Sequence, residues 1–210
     1  MPSIEGLFTN TREFLKQNLL IMLGTMPTTA GMHAFAFEDG AAAEQKASRK
    51  SKFFWKSDYD IQVWNVRWVQ GNRGGVPAFW LPYAPNTKQR SIARKDAPFL
   101  LTASMTGCSF GAVDRPGLGL EVNHVNYQTM DGVLDESRMK GEIAHCTHRL
   151  HQDKYRERAR GKAITDIGKQ AVMGATVVGV NTPRGGWKLW AQQWENTDGV
   201  RYVYHELLDL

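Results

Sequence analysis

Gly107-Cys108 places a thiol directly after a glycine, and His124 places an imidazole in a segment that alternates like a β-strand. A thiolate, not a thiol, is the attacking species, so a working cysteine needs a nearby base or positive dipole, and a histidine supplies both. Gly107 allows a tight turn and close approach of a substrate to the backbone. The N–H groups around Gly107 and Cys108 then become candidate donors to an oxyanion. Such a set performs acyl transfer through a thioester and calls for no cofactor and no metal. Two bland facts stand beside this. Leu118, Leu120, Val122 and His124 share one face of a regular strand, and a histidine on an apolar face is more often a core residue with a satisfied hydrogen bond. A lone cysteine with a histidine elsewhere is also a signal of low specificity.

The elements that must position these residues are mostly strands. A helix is predicted to open near Thr9 or Thr11 and to bury Phe14, Leu15, Leu19, Met22 and Leu23. Gly31 to Phe37 reads as a strand and Asp39 to Lys52 as a polar surface segment. Its basic residues Lys46, Arg49, Lys50 and Lys52 precede Phe53, Phe54 and Trp55. That juxtaposition superficially matches a nucleic-acid patch, but charge beside apolar runs is common at element boundaries, and no direct nucleic-acid role is expected. Tyr59 to Gln70 is a strand whose apolar phase changes between Ile61/Val63 and Trp64/Val66/Trp68, so both faces are buried or a bulge intervenes. Gln70 to Gly75 turns the chain into a hairpin partner over Pro77 to Tyr83, and Thr87 to Asp96 reads as a basic surface loop.

Asp131 to Gln170 is predicted as the main helical region, with Met139, Ile143, Cys146 and Leu150 as its buried stripe. Cys146 therefore belongs to packing. His145, His148 and His151 fan across a wide arc of such a helix and offer no complete metal set. From Arg149 to Lys162 a basic face is solvated by default, or serves to dock an acidic partner. The C-terminal part is a meander of strands over Ala171–Val180, Trp187–Trp194 and Val200–Leu208. Trp187, Leu189 and Ala191 face one way and Trp190 and Trp194 the other. The fold class that results is α+β, a mostly antiparallel β-sandwich flanked by helices.

At 210 residues the chain fits one domain, 1–210, large enough to bury a core. Apolar residues at 42% and charged residues at 22% are ordinary globular usage, which argues against wholesale disorder. The net charge of +5 is modest and selects no partner. Two cysteines make no disulfide framework, consistent with a reducing workplace. No apolar run approaches the roughly 20 residues of a membrane span, and Leu19–Leu23 is shorter than a secretory h-region of about 7–15 residues. No membrane role is therefore expected, and export would need a dedicated secretion system.

Thr102, the run Met105-Thr106-Gly107-Cys108 and His124 resemble the active-site pattern of the cytotoxic necrotizing factor type glutamine deamidases. The usual run there is Leu-Ser-Gly-Cys followed by a histidine. Two further runs are similar to those of the short lethal-factor toxins of that family. These are Trp80-Leu81-Pro82-Tyr83, similar to Trp-Leu-Pro-Trp, and Gln170-Ala171-Val172-Met173-Gly174, similar to Gln-Ala-Val-Val-Gly. Met105 and Thr106 depart from the pattern, and the connection before His124 differs throughout.

The resemblance implies a β-sandwich wrapped by helices, and a monomeric bacterial toxin that acts in the host cytosol. It implies Cys108 as nucleophile, His124 as base and Thr102 as the group that orients the imidazole. The implied substrate is a glutamine of a host protein, an RNA helicase of translation initiation in preference to a Rho-type GTPase, with arrest of host protein synthesis as the outcome. A transglutaminase, a peptidase, and a non-catalytic basic module for RNA or protein remain alternatives.

Overall fold

In the computed structural model, which describes residues 4–40, 46–49, 59–72, 74–156, 172–182, 185–196 and 200–210, the N-terminal run forms two short helices and then a strand. The helices α1 (Glu5–Thr9) and α2 (Thr11–Gln17) stop at Asn18. Its Nδ2 donates to the Phe14 carbonyl at 2.8 Å, and its Oδ1 accepts from Trp64 Nε1 at 3.0 Å. Beyond that stop, β1 (Asn18–Met22) runs parallel to β4 (Tyr59–Val69). The predicted helix through Leu19, Met22 and Leu23 is thus corrected. Leu19, Leu20 and Ile21 are buried on both faces of a strand, and an unbroken apolar run has no period that separates helix from strand.

The predicted hairpin of β4 with β5 (Val76–Leu81) does not form, because β2 (Gly31–Asp39) lies between them. Ala34 of β2 stands opposite Val69 at the end of β4 and opposite Pro77 at the start of β5, so the chain hops over β2 there. Gly75 makes that crossing. A Cβ on it would lie 2.9 Å from both the Ala34 Cβ and the Phe35 nitrogen, a contact that any larger residue would have to relieve by moving backbone. The large sheet continues from β5 through β7 (Phe99–Thr102), β11 (Val172–Thr182), β12 (Gly186–Asn196) and β13 (Arg201–Asp209) to β3 (Lys46–Arg49). Because β3 bonds both β13 and β4, the sheet bends round into a near-barrel. The predicted alternation holds: Trp187, Leu189 and Ala191 enter one apolar cluster, while Trp190 and Trp194 enter two others.

A second sheet of four strands has the order β10 (His148–Leu150), β8 (Ser109–Arg115), β9 (Gly119–Asn126), β6 (Thr87–Arg94). Thr87 to Arg94, predicted as a loop, is therefore a strand. Its basic residues alternate with Gln89, Ser91 and Ala93, which puts the charges on one side of an edge strand. Phe110, Ala112, Leu120 and Val122 of this sheet share one apolar layer with Phe79, Leu81, Leu100, Ala175, Val177 and Leu189 of the large sheet. The opposite face of the large sheet carries the α1 and α2 side chains Leu7, Phe14 and Leu15. The class is α+β as predicted, with strand predominating.

The long helix predicted from Asp131 is also corrected. Only α3 (Glu136–Glu142) and α4 (Gln152–Arg156) are helical among the described residues of that region, and residues 157–170 lie outside them. Met139, Ile143, Cys146 and Leu150 are all buried, but Leu150 belongs to β10 and to the layer between the sheets. The helical spacing was produced by a helix, a turn and a strand in succession. No helix among the described residues is long and apolar enough to cross a membrane.

Candidate active site

The segment that carries Cys108 is pinned at two places before the cysteine is reached. β7 pairs with β11 only as far as Leu101 opposite Val178. At the next residue the Thr102 hydroxyl replaces the ladder, accepting from the Val177 N–H at 3.1 Å. Ala103 N–H then donates to the Leu81 carbonyl at 3.0 Å, and Met105 exchanges two backbone hydrogen bonds with Ala175 at 2.8 Å each. Between these bonds the chain coils, so that Thr106 and Gly107 turn into β8. A Cβ on Gly107 would meet Leu134 Cδ1 at 2.9 Å, a contact that a shift of the leucine tip would relieve, and the backbone there is not left-handed. Behind the cysteine, Tyr155 of α4 is fully buried and its hydroxyl donates to the Cys108 carbonyl at 2.8 Å.

The antiparallel register of β8 and β9 pairs Ser109 with Val125 and Phe110 with His124. Extending it by one residue sets Cys108 opposite Asn126. Cys108, Phe110, His124 and Asn126 thus share the inner face of the small sheet, with the thiol and the imidazole as diagonal neighbours. Cys108 and His124 are each 2% exposed. The Nδ1–H of His124 donates to the Pro82 carbonyl at 3.1 Å, just beyond the end of β5, which leaves Nε2 as the acceptor nitrogen. That Nε2 is buried without a partner among the described residues. Asn126 Nδ2 donates to Cys108 Sγ at 3.5 Å and to the Tyr83 hydroxyl oxygen at 3.0 Å. The Tyr83 ring lies 5.8 Å from the imidazole and is 43% exposed, so it forms the wall between the pair and solvent.

Burial pushes the Cys108 thiol up to about 11, against the opposing pull of the Asn126 side chain and, more weakly, of the Gly107 and Thr106 backbone. Burial pushes His124 down to about 4, and the Pro82 carbonyl only partly opposes this. At neutral pH the two groups are a thiol and a neutral imidazole. The imidazole is in the form that accepts a proton, and Asn126 Nδ2 donates to the sulfur where negative charge would develop. General-base delivery of the thiol to an electrophilic carbonyl is the chemistry open to this set.

The expected site residues are only partly brought together. Cys108, next to Gly107, and His124 lie diagonally across β8 and β9 on one face of the small sheet, with no hydrogen bond between the thiol and the imidazole among the described residues. Thr102 is buried, but its hydroxyl serves Val177, and the ring of His124 is oriented by Pro82 instead. Asn126 is the residue that sequence reasoning missed, and Pro82 and Tyr83 were singled out in the Trp80–Tyr83 run without a role beside His124. Asn126 was open to detection, since it follows His124 by one strand period. Of the other singled-out residues, His145 Nε2 lies 3.1 Å from Glu121 Oε1, His148 Nδ1 donates to the Leu210 carbonyl at 2.8 Å, and His151 Nδ1 lies 3.5 Å from Ser109 Oγ. The three histidines go to separate partners, and no group able to hold a metal occurs among the described residues. Cys146 packs with Val125, Met139 and Ile143 on the outer face of the small sheet. Of the basic run and aromatic triplet, residues 50–58 lie outside the described residues, as do Gln170 and Ala171. No protein-family model matches this chain, and comparison with curated proteins likewise finds no match.

Proposed function

We propose that this chain is a protein-glutamine deamidase that works through Cys108 and His124. The observation that carries the reading is the pair of unpartnered polar atoms beside the buried thiol, His124 Nε2 and Asn126 Oδ1. These two unpartnered atoms lie on the face of the small sheet that carries the thiol, so a substrate at Cys108 could satisfy both. In the proposed reaction His124 Nε2 takes the Cys108 proton as sulfur bonds to the side-chain carboxamide carbon of a glutamine. The carbonyl oxygen becomes an oxyanion held by N–H donors. As the C–N bond breaks, the imidazolium returns its proton to the nitrogen and ammonia leaves. Water, deprotonated by His124, then attacks the thioester; the C–S bond breaks, glutamate is released and the thiol regains its proton.

The β-sandwich toxin fold belongs to the same proposal, supported by the apolar layer shared by the two sheets. The target class rests on the Trp80–Tyr83 and Gln170–Gly174 resemblance alone. It is a host protein, an RNA helicase of translation initiation ahead of a Rho-type GTPase, modified in the host cytosol with loss of protein synthesis. The test is a eukaryotic lysate treated with the protein or with its Cys108→Ser form, scored for free ammonia, incorporation of an added fluorescent amine, and chain cleavage. Ammonia release that depends on Cys108, without amine incorporation or cleavage, supports the deamidase. Amine incorporation gives a transglutaminase and cleavage a peptidase. Binding to RNA or an acidic protein that is unchanged by Cys108→Ser, with none of the three reactions, gives a binding module.

A further inference from the structure

Asn126 sits where a side-chain amide is worth most to carboxamide chemistry. It is 5% exposed and belongs to the inner face of β9. One of its two polar atoms is in use and the other is not. Nδ2 donates both to the Cys108 sulfur at 3.5 Å and to the Tyr83 hydroxyl oxygen at 3.0 Å, whereas Oδ1 is buried with no partner among the described residues. An oxygen held by Nδ2 next to the nucleophilic sulfur stands where the carbonyl oxygen of a substrate would be held during attack. The hydroxyl of Tyr83, a partly exposed residue beside the imidazole, occupies that place.

We propose that Asn126 reads the primary carboxamide of the substrate through both of its polar atoms. Nδ2 donates to the substrate carbonyl oxygen in the place now held by the Tyr83 hydroxyl, and Oδ1 accepts the amide hydrogen that lies syn to that oxygen. The two amides form a planar cyclic pair, which leaves His124 Nε2 for the thiol proton. This rests on the deamidase reading and adds a selection rule to it. A trans peptide bond presents its N–H on the side opposite its C=O, so it cannot satisfy Nδ2 and Oδ1 together. A carboxylate offers no hydrogen and turns an acceptor toward Oδ1. The pairing therefore admits a glutamine side chain, refuses the main chain, and releases glutamate.

The test needs no knowledge of the target. Cys108 in the purified protein is alkylated with iodoacetamide, N-methyliodoacetamide or iodoacetate. The rate is read on the Cys108 peptide by mass spectrometry and divided by the rate for free cysteine. The normalised rate with iodoacetamide is expected to exceed those of the other two about tenfold, the size of one net hydrogen bond. Asn126→Leu is expected to bring the three normalised rates together. The thermal midpoint of that variant checks that the fold survives, and Asn126→Asp, which keeps the acceptor but loses the donor, is expected to retain the preference of iodoacetamide over N-methyliodoacetamide. Tyr83→Ala is expected to raise the iodoacetamide and N-methyliodoacetamide rates while preserving the preference between them. Equal normalised rates in the unmodified protein, no alkylation of Cys108 by any reagent, or a preference for iodoacetamide over N-methyliodoacetamide that survives Asn126→Leu in the folded protein overturns the proposal. Amide preference without any glutamine deamidation in a lysate would instead sink the deamidase reading and leave the amide pairing standing.

Discussion

At Cys108 and His124 the decisive quantity is how burial moves two protons. The thiol is pushed up to about 11 and the imidazole down to about 4, so the resting pair is neutral and attack on a substrate needs a concerted proton transfer. Alkylation of Cys108 by iodoacetamide is accordingly expected to climb from pH 6 to pH 10 without reaching a plateau, because the thiol value of about 11 lies above that range. A plateau reached below pH 7 would mean a preformed thiolate–imidazolium pair and contradict this. The same burial has a stability consequence. The folded imidazole at about 4 lies below the ordinary 6.5, so between those values the unfolded chain binds more protons than the folded one. Stability is expected to fall as pH drops through that window, and less so in His124→Gln, as read by thermal melts at pH 7, 5.5 and 4. The two reactive side chains were legible because glycine-cysteine and strand alternation are local signals. The roles of Pro82 and Tyr83 were not, because their contact with His124 depends on how the end of β5 meets β9, and no local pattern encodes that meeting.

At the scale of elements, the loop from Thr102 to Gly107 positions the thiol by borrowing hydrogen bonds from β5 and β11. Thr102→Val removes the acceptor for the Val177 N–H without changing side-chain shape. It is expected to cost about 1–3 kcal/mol in denaturant unfolding, the penalty of an unmatched buried donor, and to slow alkylation of Cys108. Unchanged stability would show that the hydroxyl pins nothing. Gly119 at the start of β9 has φ +130°, and a Cβ there would lie 2.3 Å from the Ala93 carbonyl oxygen. Gly119→Ala is expected to separate β9 from β6 and cost several kcal/mol, as strain at such positions does. On the outer face of the same sheet, burial raises the Glu121 carboxyl, but hydrogen bonds from Arg90, His145, Arg115 and Asn123 outweigh it and hold the group at about 2. Its folded value lies below the ordinary 4.3, so its stabilisation is present at neutral pH and is lost as pH falls from about 4 toward 2. Glu121→Gln is expected to flatten that part of the stability profile. The sequence made β12 legible through the alternation of Trp187, Leu189 and Ala191 against Trp190 and Trp194. It misassigned β1 and β6: an apolar run buried on both faces looks helical, and a charged edge strand looks like a loop.

At the scale of the molecule, the layer between the two sheets ties the loop that carries Cys108 to most of the chain. Phe110 and Val122 of the small sheet, Leu81 and Ala175 of the large sheet and Tyr155 of α4 share one cluster with Cys108. Unfolding in guanidinium is therefore expected to be a single transition, with coincident midpoints by tryptophan fluorescence and far-ultraviolet circular dichroism. Separate midpoints would mean that the small sheet folds on its own. The α+β class and the strand-rich C-terminal half were legible in the sequence. The hop of the chain over β2 and the closure through β3 were not, because each depends on pairing between segments distant in the chain.

The central claim is the reaction at Cys108, and one measurement meets it directly. A eukaryotic lysate is incubated with the protein, with Cys108→Ser and with His124→Gln, and peptide mass spectrometry maps each glutamine that has become glutamate. The account expects one dominant site in one protein, absent with Cys108→Ser and reduced by at least tenfold with His124→Gln. No converted glutamine, or conversion that persists when residue 108 is serine, would contradict it.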